Sequence, residues 1–374
     1  MVSKALRTRC LLILLAALLP ALLASAAEEP APPPGQDIVY AVTTMGKVPV
    51  TAIYALEIGT GMRRLLYRDT EDASRVILKQ GSSDILGAGR ATPVKDVYVI
   101  VGPPVAPDNP AHLDAISRLR FPDETGKQAA PEPVLPLPLS FSESSAYHLW
   151  NRAPVFAVSS DGGKFAVFVL RIGETRLERP AIRIIPIAGE EWRVPLPDSG
   201  LYIADLAFSP DAKLLAYSVM PQGDEHTLDE AHLPIAGLYL ADLSARTTRM
   251  LYAGFIDAVA WGPKPDQITV AARVGDFWST KHVGAVISIS SGQKLREFSL
   301  RGPVVALAYS EDAQWLAAET VGGGQRIWVY PVAGGWGRQA PVSTETGGRI
   351  SLLGWVRIAA LGGAASPGAE RPGM

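Results

Sequence analysis

The densest group of possible metal ligands in this chain of 374 residues lies within nine consecutive positions. It combines two imidazoles with four carboxylates, from Asp224, Glu225, His226, Asp229, Glu230 and His232. Such side chains bind Zn²⁺, and the carboxylates alone can bind Ca²⁺. The six-residue step from His226 to His232 differs from the His-Glu-x-x-His pattern of helical zinc sites. A solvated acidic loop is the favoured interpretation, with a metal site as the alternative, and we expect no cofactor.

Three aromatic residues form a second group of candidates. Phe277 and Trp278 lie in a segment between two apolar runs, and Trp336 lies in a Gly-Gly-Trp-Gly sequence. Exposed aromatic side chains are preferred anchors for protein partners. We therefore predict that Phe277, Trp278 and Trp336 contribute to partner binding.

Motifs for catalysis are missing from the sequence. It contains neither the Gly-x-Ser-x-Gly elbow of hydrolases nor the Gly-x-x-x-x-Gly-Lys-Ser/Thr phosphate loop. The remaining histidines, His112, His148 and His282, are isolated in the sequence, which is typical of surface or packed residues. A non-catalytic protein is the favoured interpretation.

The N-terminus has the three parts of an export signal. Basic residues at Lys4, Arg7 and Arg9 precede an apolar run from Leu11 to Leu23, and the small residues 24–26 follow. We predict cleavage after Ala26 and a periplasmic or secreted protein, with an uncleaved membrane anchor as the alternative.

The charge balance excludes some partners. Loss of residues 1–26 would leave 32 basic and 37 acidic residues and would remove the single cysteine. A weakly acidic chain is a poor match for nucleic acid, so we predict a protein or peptide partner and no integral membrane segment in the mature chain.

The elements that carry these candidates belong to a repeat. Apolar runs are followed by Ser159-Ser-Asp, Ser209-Pro-Asp and Ser310-Glu-Asp, and a degenerate copy reads Gly262-Pro-Lys264. Equivalent positions are 50, 53 and 48 residues apart. A period near 50 with several short apolar runs predicts an all-β propeller in which each blade is one four-stranded antiparallel sheet.

The ends of the chain predict how the ring closes. Four blades fill residues 155–342, and residues 75–138 form a less regular blade with strands at Ile85–Ala88 and Val97–Val101. One blade would combine strands from both termini, which removes the free sheet edges. Its expected strands are Asp37–Thr43, Ala52–Ile58 and Met62–Arg68, with Ile350–Trp355 and Arg357–Leu361. This predicts six blades, or seven if residues 75–138 hold two.

The segment Phe208–Tyr217, Phe-Ser-Pro-Asp-Ala-Lys-Leu-Leu-Ala-Tyr, resembles the PD40-type repeat of TolB-like, WD40-like propellers. The resemblance implies a six-bladed propeller that binds partners in the bacterial envelope. Only a Pro-rich leader precedes the first strand here, where that family has an α/β domain, so its specific partners are not implied. We predict a signal peptide at 1–26, a leader at 27–36, the propeller at 37–361 and a disordered tail at 362–374.

The predicted function is therefore that of an exported, non-catalytic propeller that binds a protein or peptide partner in the cell envelope. The alternative is a metal-dependent lactonase or esterase with its site in the channel mouth. That alternative requires acidic residues from several blades to converge on the axis.

Overall fold

The computed structural model describes residues 36–44, 50–69, 76–82, 96–102, 112–120, 130–140, 155–168, 181–196, 201–221, 235–262, 264–275, 279, 281–321, 325–334, 337–340, 342 and 348–357. The predicted signal peptide, leader and tail lie outside these residues. In the described ranges no helix is long and apolar enough to span a membrane.

The described residues form 24 strands that make six four-stranded sheets, which we call blades I to VI. Blade I contains β1 (Gln36–Thr44), β2 (Val50–Glu57), β3 (Arg63–Arg68) and β24 (Arg349–Arg357). Blade II contains β4 (Val76–Ser82), β5 (Asp96–Gly102), β6 (His112–Arg120) and β7 (Glu132–Ser140). Blade III contains β8 (Val155–Val158), β9 (Lys164–Phe168), β10 (Ala181–Pro186) and β11 (Trp192–Pro195).

The other three blades follow in chain order. Blade IV contains β12 (Leu201–Phe208), β13 (Leu214–Pro221), β14 (Gly237–Asp242) and β15 (Thr247–Ala253). Blade V contains β16 (Ile256–Trp261), β17 (Gln267–Arg273), β18 (His282–Ser288) and β19 (Lys294–Ser299). Blade VI contains β20 (Val304–Tyr309), β21 (Trp315–Thr320), β22 (Arg326–Pro331) and β23 (Arg338–Gln339).

The first strands of the blades form a closed ring. The strands β4, β8, β12, β16, β20 and β24 each contact the next, and β24 contacts β4. Neighbouring strands within every blade are antiparallel. The fold is therefore a six-bladed β-propeller, which confirms the predicted fold class and the count of six rather than seven.

The burial of the strands follows their position in the blade. All six residues of β21 are buried, whereas β19 is exposed along most of its length. The inner strands are covered on both faces by neighbouring blades, so they read as continuous apolar runs, and the outer strands do not. The core thus lies in layers between blades. One layer packs Leu238 and Leu240 of blade IV against Val259 and Val270 of blade V.

The closing blade is confirmed, with one correction. The strand β24 pairs with β1 from Asp37 opposite Val356 to Thr43 opposite Arg349. Arg357 was expected to begin a second C-terminal strand, Arg357–Leu361, and instead it ends β24. The second place in the sheet belongs to β1. Residues 358–361 lie outside the described residues.

Blade II shows what the sequence reasoning missed. The prediction at Val97–Val101 is confirmed as part of β5, whereas Ile85–Ala88 lies outside the described residues. The strand β7 contains Pro133, Pro136 and Pro138, which made this segment look like an insertion. Proline cannot donate to a sheet, but an edge strand tolerates it because one side of the strand needs no partner.

The repeated Ser-x-Asp sequence builds the turn between the first two strands. In blade IV, the Ser209 hydroxyl donates to Asp211 at 2.7 Å and accepts the Leu214 N–H at 2.9 Å. The same serine–aspartate bond measures 2.5 Å in blade III and 2.6 Å in blade VI. The Ser159 hydroxyl and the Gly163 N–H hold the pKa of Asp161 below its ordinary value. The repeat is thus a hydrogen-bonded turn within each blade, and in blade III it also reaches the next turn, since the Ser160 hydroxyl donates to the Pro210 carbonyl at 2.7 Å.

Candidate functional site

The sequence-predicted candidates lie outside the described residues. These are Asp224, Glu225, His226, Asp229, Glu230 and His232, together with Phe277, Trp278 and Trp336. The described residues contain no group of three or more His, Cys, Asp or Glu side chains placed to hold a metal ion. The metal and partner assignments of those residues stay predictions.

The strand order assigns the segments that carry these candidates to different connections. Residues 222–234 and 276–278 lie between second and third strands, whose described ends form what we call the loop face. Trp336 lies between the third and fourth strands of blade VI, whose ends form the opposite, turn face. Its described neighbour Gly337 packs against the Tyr330 ring.

A buried ionic cluster sits at the loop face of blade V. Arg273 binds Asp257 through two hydrogen bonds of 2.7 and 2.6 Å, and the Nε2 atom of His282 lies 2.7 Å from Asp257. Burial alone would raise the pKa of Asp257, but the bonds from Arg273 and His282 outweigh it and lower the pKa. The His282 side chain is only 3% exposed. His282 is thus a packed residue, in line with its isolation in the sequence.

The cluster fixes the strand ends that flank Phe277 and Trp278. Arg273 ends β17 and His282 begins β18, and Asp257 on β16 holds both. Sequence reasoning missed this cluster because its three members come from three different strands. No spacing along the chain reveals such a contact.

The alternative of a metal-dependent lactonase or esterase requires acidic residues on the innermost strands, which are β4, β8, β12, β16, β20 and β24. Among their described residues only Asp205 and Asp257 are acidic. Asp205 accepts hydrogen bonds from the N–H groups of Leu206, at 2.9 Å, and of Val259, at 2.8 Å. Both carboxylates are therefore engaged by the protein itself, and each lies at a β-bulge of its strand. Bulges commonly re-aim a side chain, and here they turn carboxylates toward structural partners.

The described surface has a cleft between blades V and VI, near the turn face. Its volume is about 230 Å³. Three aromatic rings line it, from Phe298, Tyr309 and Tyr330, with the aliphatic Leu295 beside them. Lys264 and Arg296 add two cations. No carboxylate or imidazole lines the cleft among the described residues.

A glycine backs each of the three rings. A Cβ atom on Gly284 would overlap the Phe298 ring, which lies directly opposite it across the β18–β19 pair. A Cβ atom on Gly337 would likewise overlap the Tyr330 ring. A Cβ on Gly262, where φ is +114°, would approach the Tyr309 ring to 3.2 Å. Missing side chains therefore create the space that the rings occupy.

Hydrogen bonds hold the polar ends of the two tyrosines. The Tyr309 hydroxyl lies 2.7 Å from the Thr269 hydroxyl, and burial raises the pKa of Tyr309 to about 12. The Tyr330 hydroxyl accepts the Arg301 N–H at 2.9 Å. Both phenols are therefore neutral structural groups at ordinary pH. The hydrogen bond at the hydroxyl and the backbone covalent link at the other end fix the orientation of each ring.

Arg296 joins the two blades at the cleft. Its guanidinium donates to the Val332 carbonyl of blade VI and lies 5.7 Å from the centre of the Phe298 ring. An equivalent contact occurs one blade earlier, where Arg249 donates to the Ile289 carbonyl. The neighbouring Glu297 forms its ion pair with Lys294. The positive charge of Arg296 is therefore not neutralised by this nearby carboxylate.

The sequence contained one signal for this cleft that the predictions did not use. An isolated glycine within a strand, such as Gly284, often marks the close approach of another group. The aromatic partner, Phe298, lies on the neighbouring strand, and its register is not readable from the glycine alone.

Comparison with known proteins identifies the fold. No family model matches the chain, and no curated protein matches it. Among solved structures, TolB from Acinetobacter baumannii aligns with a TM-score of 0.54 and 14% identity, over 85% of this chain and 66% of that one. The fold is that of a TolB-like propeller. A putative TolB from Agrobacterium tumefaciens aligns at 12% identity and a TM-score of 0.49, over 81% of this chain and 88% of that one.

The TolB-like fold accounts for the repeat resemblance seen in the sequence. This chain spans only 66% of the length of the Acinetobacter TolB chain. At 14% identity the likeness is one of fold, so the chemistry of this protein has to be argued from its own residues.

Proposed function

We propose that this protein is an exported, non-catalytic propeller that binds a protein or peptide partner in the cell envelope. The observation that carries the proposal is the composition of the cleft between blades V and VI. Its described lining presents aromatic, aliphatic and cationic groups and includes no carboxylate or imidazole, the groups used most often in acid–base catalysis. Aromatic and arginine side chains dominate the energetics of protein–protein contacts.

The assignment to the envelope rests on residues 1–26. Their basic start, apolar run and small-residue end are those of an export signal, and the only cysteine lies within them. A chain exported this way reaches an oxidising compartment without a thiol to protect. N-terminal sequencing of the protein from an envelope fraction tests the assignment, with Ala27 as the expected first residue.

Partner binding is tested by crosslinking the tagged full chain in envelope preparations and identifying the captured proteins by mass spectrometry. We expect a reproducible partner, and the purified partner should bind the purified propeller in a titration. If no protein is captured reproducibly with or without crosslinker, the proposal is wrong.

The enzymatic alternative has its own test. After treatment with EDTA, the protein is assayed on chromogenic lactones and esters with added Ca²⁺ or Zn²⁺. We expect no hydrolysis above buffer and no change in Tm with either ion, because a ligand stabilises a protein only when it binds the native state. Hydrolysis that Asp205→Asn or Asp257→Asn abolishes would replace the binding proposal with the enzymatic one.

A further inference from the structure

We propose that the cleft between blades V and VI is the anchor site for a peptide segment in which an aromatic residue lies next to an aspartate or glutamate. The inference rests on the proposed function and specifies the chemistry of the partner. The aromatic side chain enters the cleft, and the carboxylate meets Arg296 and Lys264 at its mouth. Four properties of the described residues support this occupant.

The volume of the cleft suits a single large side chain. Pockets for small-molecule ligands usually measure about 300–1,000 Å³. This cleft measures about 230 Å³. It therefore accommodates one aromatic group, while the rest of the bound segment lies across the neighbouring surface.

The aromatic lining is organised before any ligand arrives. Glycines at 262, 284 and 337 leave the space that the three rings occupy, and hydrogen bonds hold the Tyr309 and Tyr330 hydroxyls. A site whose side chains are already ordered loses less conformational entropy on binding. Rings at fixed positions also allow the edge-to-face contacts that aromatic pairs prefer.

The charge of the cleft selects an acidic segment. Arg296 and Lys264 line it, and no carboxylate does among the described residues. Arg296 makes one hydrogen bond, to the Val332 carbonyl, among those described for its side chain. A guanidinium carries five N–H donors in a planar fork that matches a carboxylate. A basic or neutral segment would offer these cations no carboxylate.

The cleft is open because the rim of the two blades is uneven. On one side, β19 is an exposed outer strand whose Leu295 is 52% exposed. On the other side, the described part of β23 pairs only with Trp328 and Val329 of β22. Next to this pair, Gly337 lies against the Tyr330 ring and has no side chain to cover it. Tyr309 and Tyr330 are already buried, so an apolar side chain from a partner would cover Leu295 and the half-buried Phe298 ring.

The experiment selects peptides and then maps them. A random heptapeptide library displayed on phage is panned against the full chain, and selected sequences are made as fluorescein-labelled peptides for anisotropy titration. We expect enrichment of an aromatic residue beside Asp or Glu. Replacing that acid by its amide should weaken binding by about tenfold, because a charge-assisted hydrogen bond is lost.

Variants of the propeller locate the site. Arg296→Gln and Phe298→Leu should each weaken binding of the selected peptide by about tenfold, as expected of interface anchors. Gly284→Ala removes no cleft side chain but displaces the Phe298 ring, so it should weaken binding as well. Arg249→Gln removes the equivalent inter-blade contact one blade away and should leave binding unchanged. Melting curves of all four variants verify that they are folded.

Each other outcome contradicts the inference in a distinct way. Selected peptides that bind all variants equally would place the site elsewhere and leave the proposed function intact. Peptides affected by Arg296→Gln but not by Phe298→Leu or Gly284→Ala would indicate a general anion site without an aromatic anchor. If no peptide is selected, the cleft is not a peptide site, and the crosslinking experiment decides separately whether the protein has a partner.

Discussion

Blades I and IV reach the same four-stranded sheet by different routes. Blade IV is built from one continuous segment, Leu201–Ala253, and its Ser209–Leu214 turn pairs the first two strands locally. Blade I needs β1 and β24, which come from opposite ends of the chain. Because the entropy cost of closing a loop rises with its length, blade I forms its sheet at a larger entropic cost than blade IV. The contrast predicts that repeat blades tolerate local damage and that the ring depends on closure.

The interface between two neighbouring blades is called a seam here. The hydrogen bonds across the seam between blades IV and V are nevertheless of the same kind as those across the seam between blades VI and I. Asp205 of blade IV accepts the Val259 N–H of blade V at 2.8 Å, and Glu319 of blade VI accepts the Leu352 N–H of blade I at 2.8 Å. The indole N–H of Trp261 likewise donates to the Ala207 carbonyl at 2.9 Å, as Trp355 donates to Ala308 at 3.0 Å. The two regions therefore differ in connectivity and share their seam chemistry.

The largest expected effect is that of removing β24. A chain that ends at Gly348 loses the buried side chains of Ile350, Leu352, Leu353 and Trp355. Each large apolar side chain contributes about 1.5–3 kcal/mol when buried, against a total stability of about 5–15 kcal/mol. We expect this truncated protein to aggregate or fail to fold, as judged by size-exclusion chromatography and circular dichroism.

The matched control for this truncation is a chain that ends at Gly362, which retains all of β24. It should behave like the full chain. A Gly348 truncation that stays monomeric, soluble and as heat-stable as the full chain would show that closure is not required.

Single substitutions at the two seams sharpen the comparison. Glu319→Ala leaves the Leu352 N–H without this acceptor, and Asp205→Ala does the same to the Val259 N–H. A buried donor without its acceptor costs about 1–3 kcal/mol, so both variants should melt at lower temperature. Only Glu319→Ala should speed hydrogen exchange in β1 and β24, because only that seam includes β24, the strand that pairs with β1.

The conservative variant Glu319→Gln separates the hydrogen bond from the rest of the side chain. Its amide oxygen can still accept the Leu352 N–H, so most of the stability should return. If Glu319→Ala leaves hydrogen exchange in β24 unchanged, the closing seam is held by its packing and its other hydrogen bonds, such as that from Trp355 to Ala308.

The sequence made the repeat blades predictable because their determinants are local. The Ser-x-Asp turns, the apolar runs and the period near 50 are all read within one segment. Blade II was less predictable, since β7 carries three prolines that an edge strand tolerates and an inner strand does not. The closing blade was predictable only because both ends of the chain contain apolar runs that belong to none of the complete repeats.

The candidate site was far less accessible from sequence. Its residues, such as Tyr309, Phe298 and Tyr330, come from three strands in two blades. Sequence reasoning ranks exposed aromatics by their place in loops, and therefore it selected Trp278 and Trp336. Which side chains meet across a blade interface depends on register, and register is a property of paired strands.

A pH titration tests the buried end of the closing blade. Asp37 is 1% exposed, and burial, with the charge of Glu57 adding to it and that of Arg64 opposing it, raises its pKa to about 7. The folded state therefore binds this proton more tightly than the unfolded chain. The stabilisation is full below the ordinary pKa near 3.8 and is lost as pH rises through about 7. From pH 8 to pH 6, the free energy of unfolding should increase by about 1.4 kcal/mol.

Urea denaturation at the two pH values measures this change. Asp37→Asn removes the titrating group, so it should flatten the pH dependence and raise the stability at pH 8. Asp266→Asn, at an exposed aspartate of the β16–β17 turn, should retain the pH dependence of the parent chain. A pH dependence that persists in Asp37→Asn would assign it to another group.

The smallest expected effects come from the repeat turns, where a local change should stay local. Ala313 has φ of 54°, in the left-handed region, at the position that Gly162 occupies in blade III with φ of 69°. A left-handed alanine costs about 1–2 kcal/mol, and the greater entropy of unfolded glycine offsets about 0.4–1 kcal/mol of the gain from replacing it. Ala313→Gly should therefore stabilise the protein by about 0.5 kcal/mol.

The reciprocal variant Gly162→Ala should destabilise by about 0.5–1 kcal/mol from the backbone, because it adds the left-handed strain and removes the entropy of the unfolded glycine. Its Cβ would also lie 2.7 Å from the Tyr98 hydroxyl of blade II. Chemical denaturation of both variants measures the two signs. Opposite signs at equivalent turn positions would show that the backbone angle governs the turn. Destabilisation by both variants would show that the packing of the Ala313 methyl group contributes more to stability than relief of the left-handed backbone angle does. The repeat turn would then depend on its contacts with neighbouring residues, and a local change in it would not stay local.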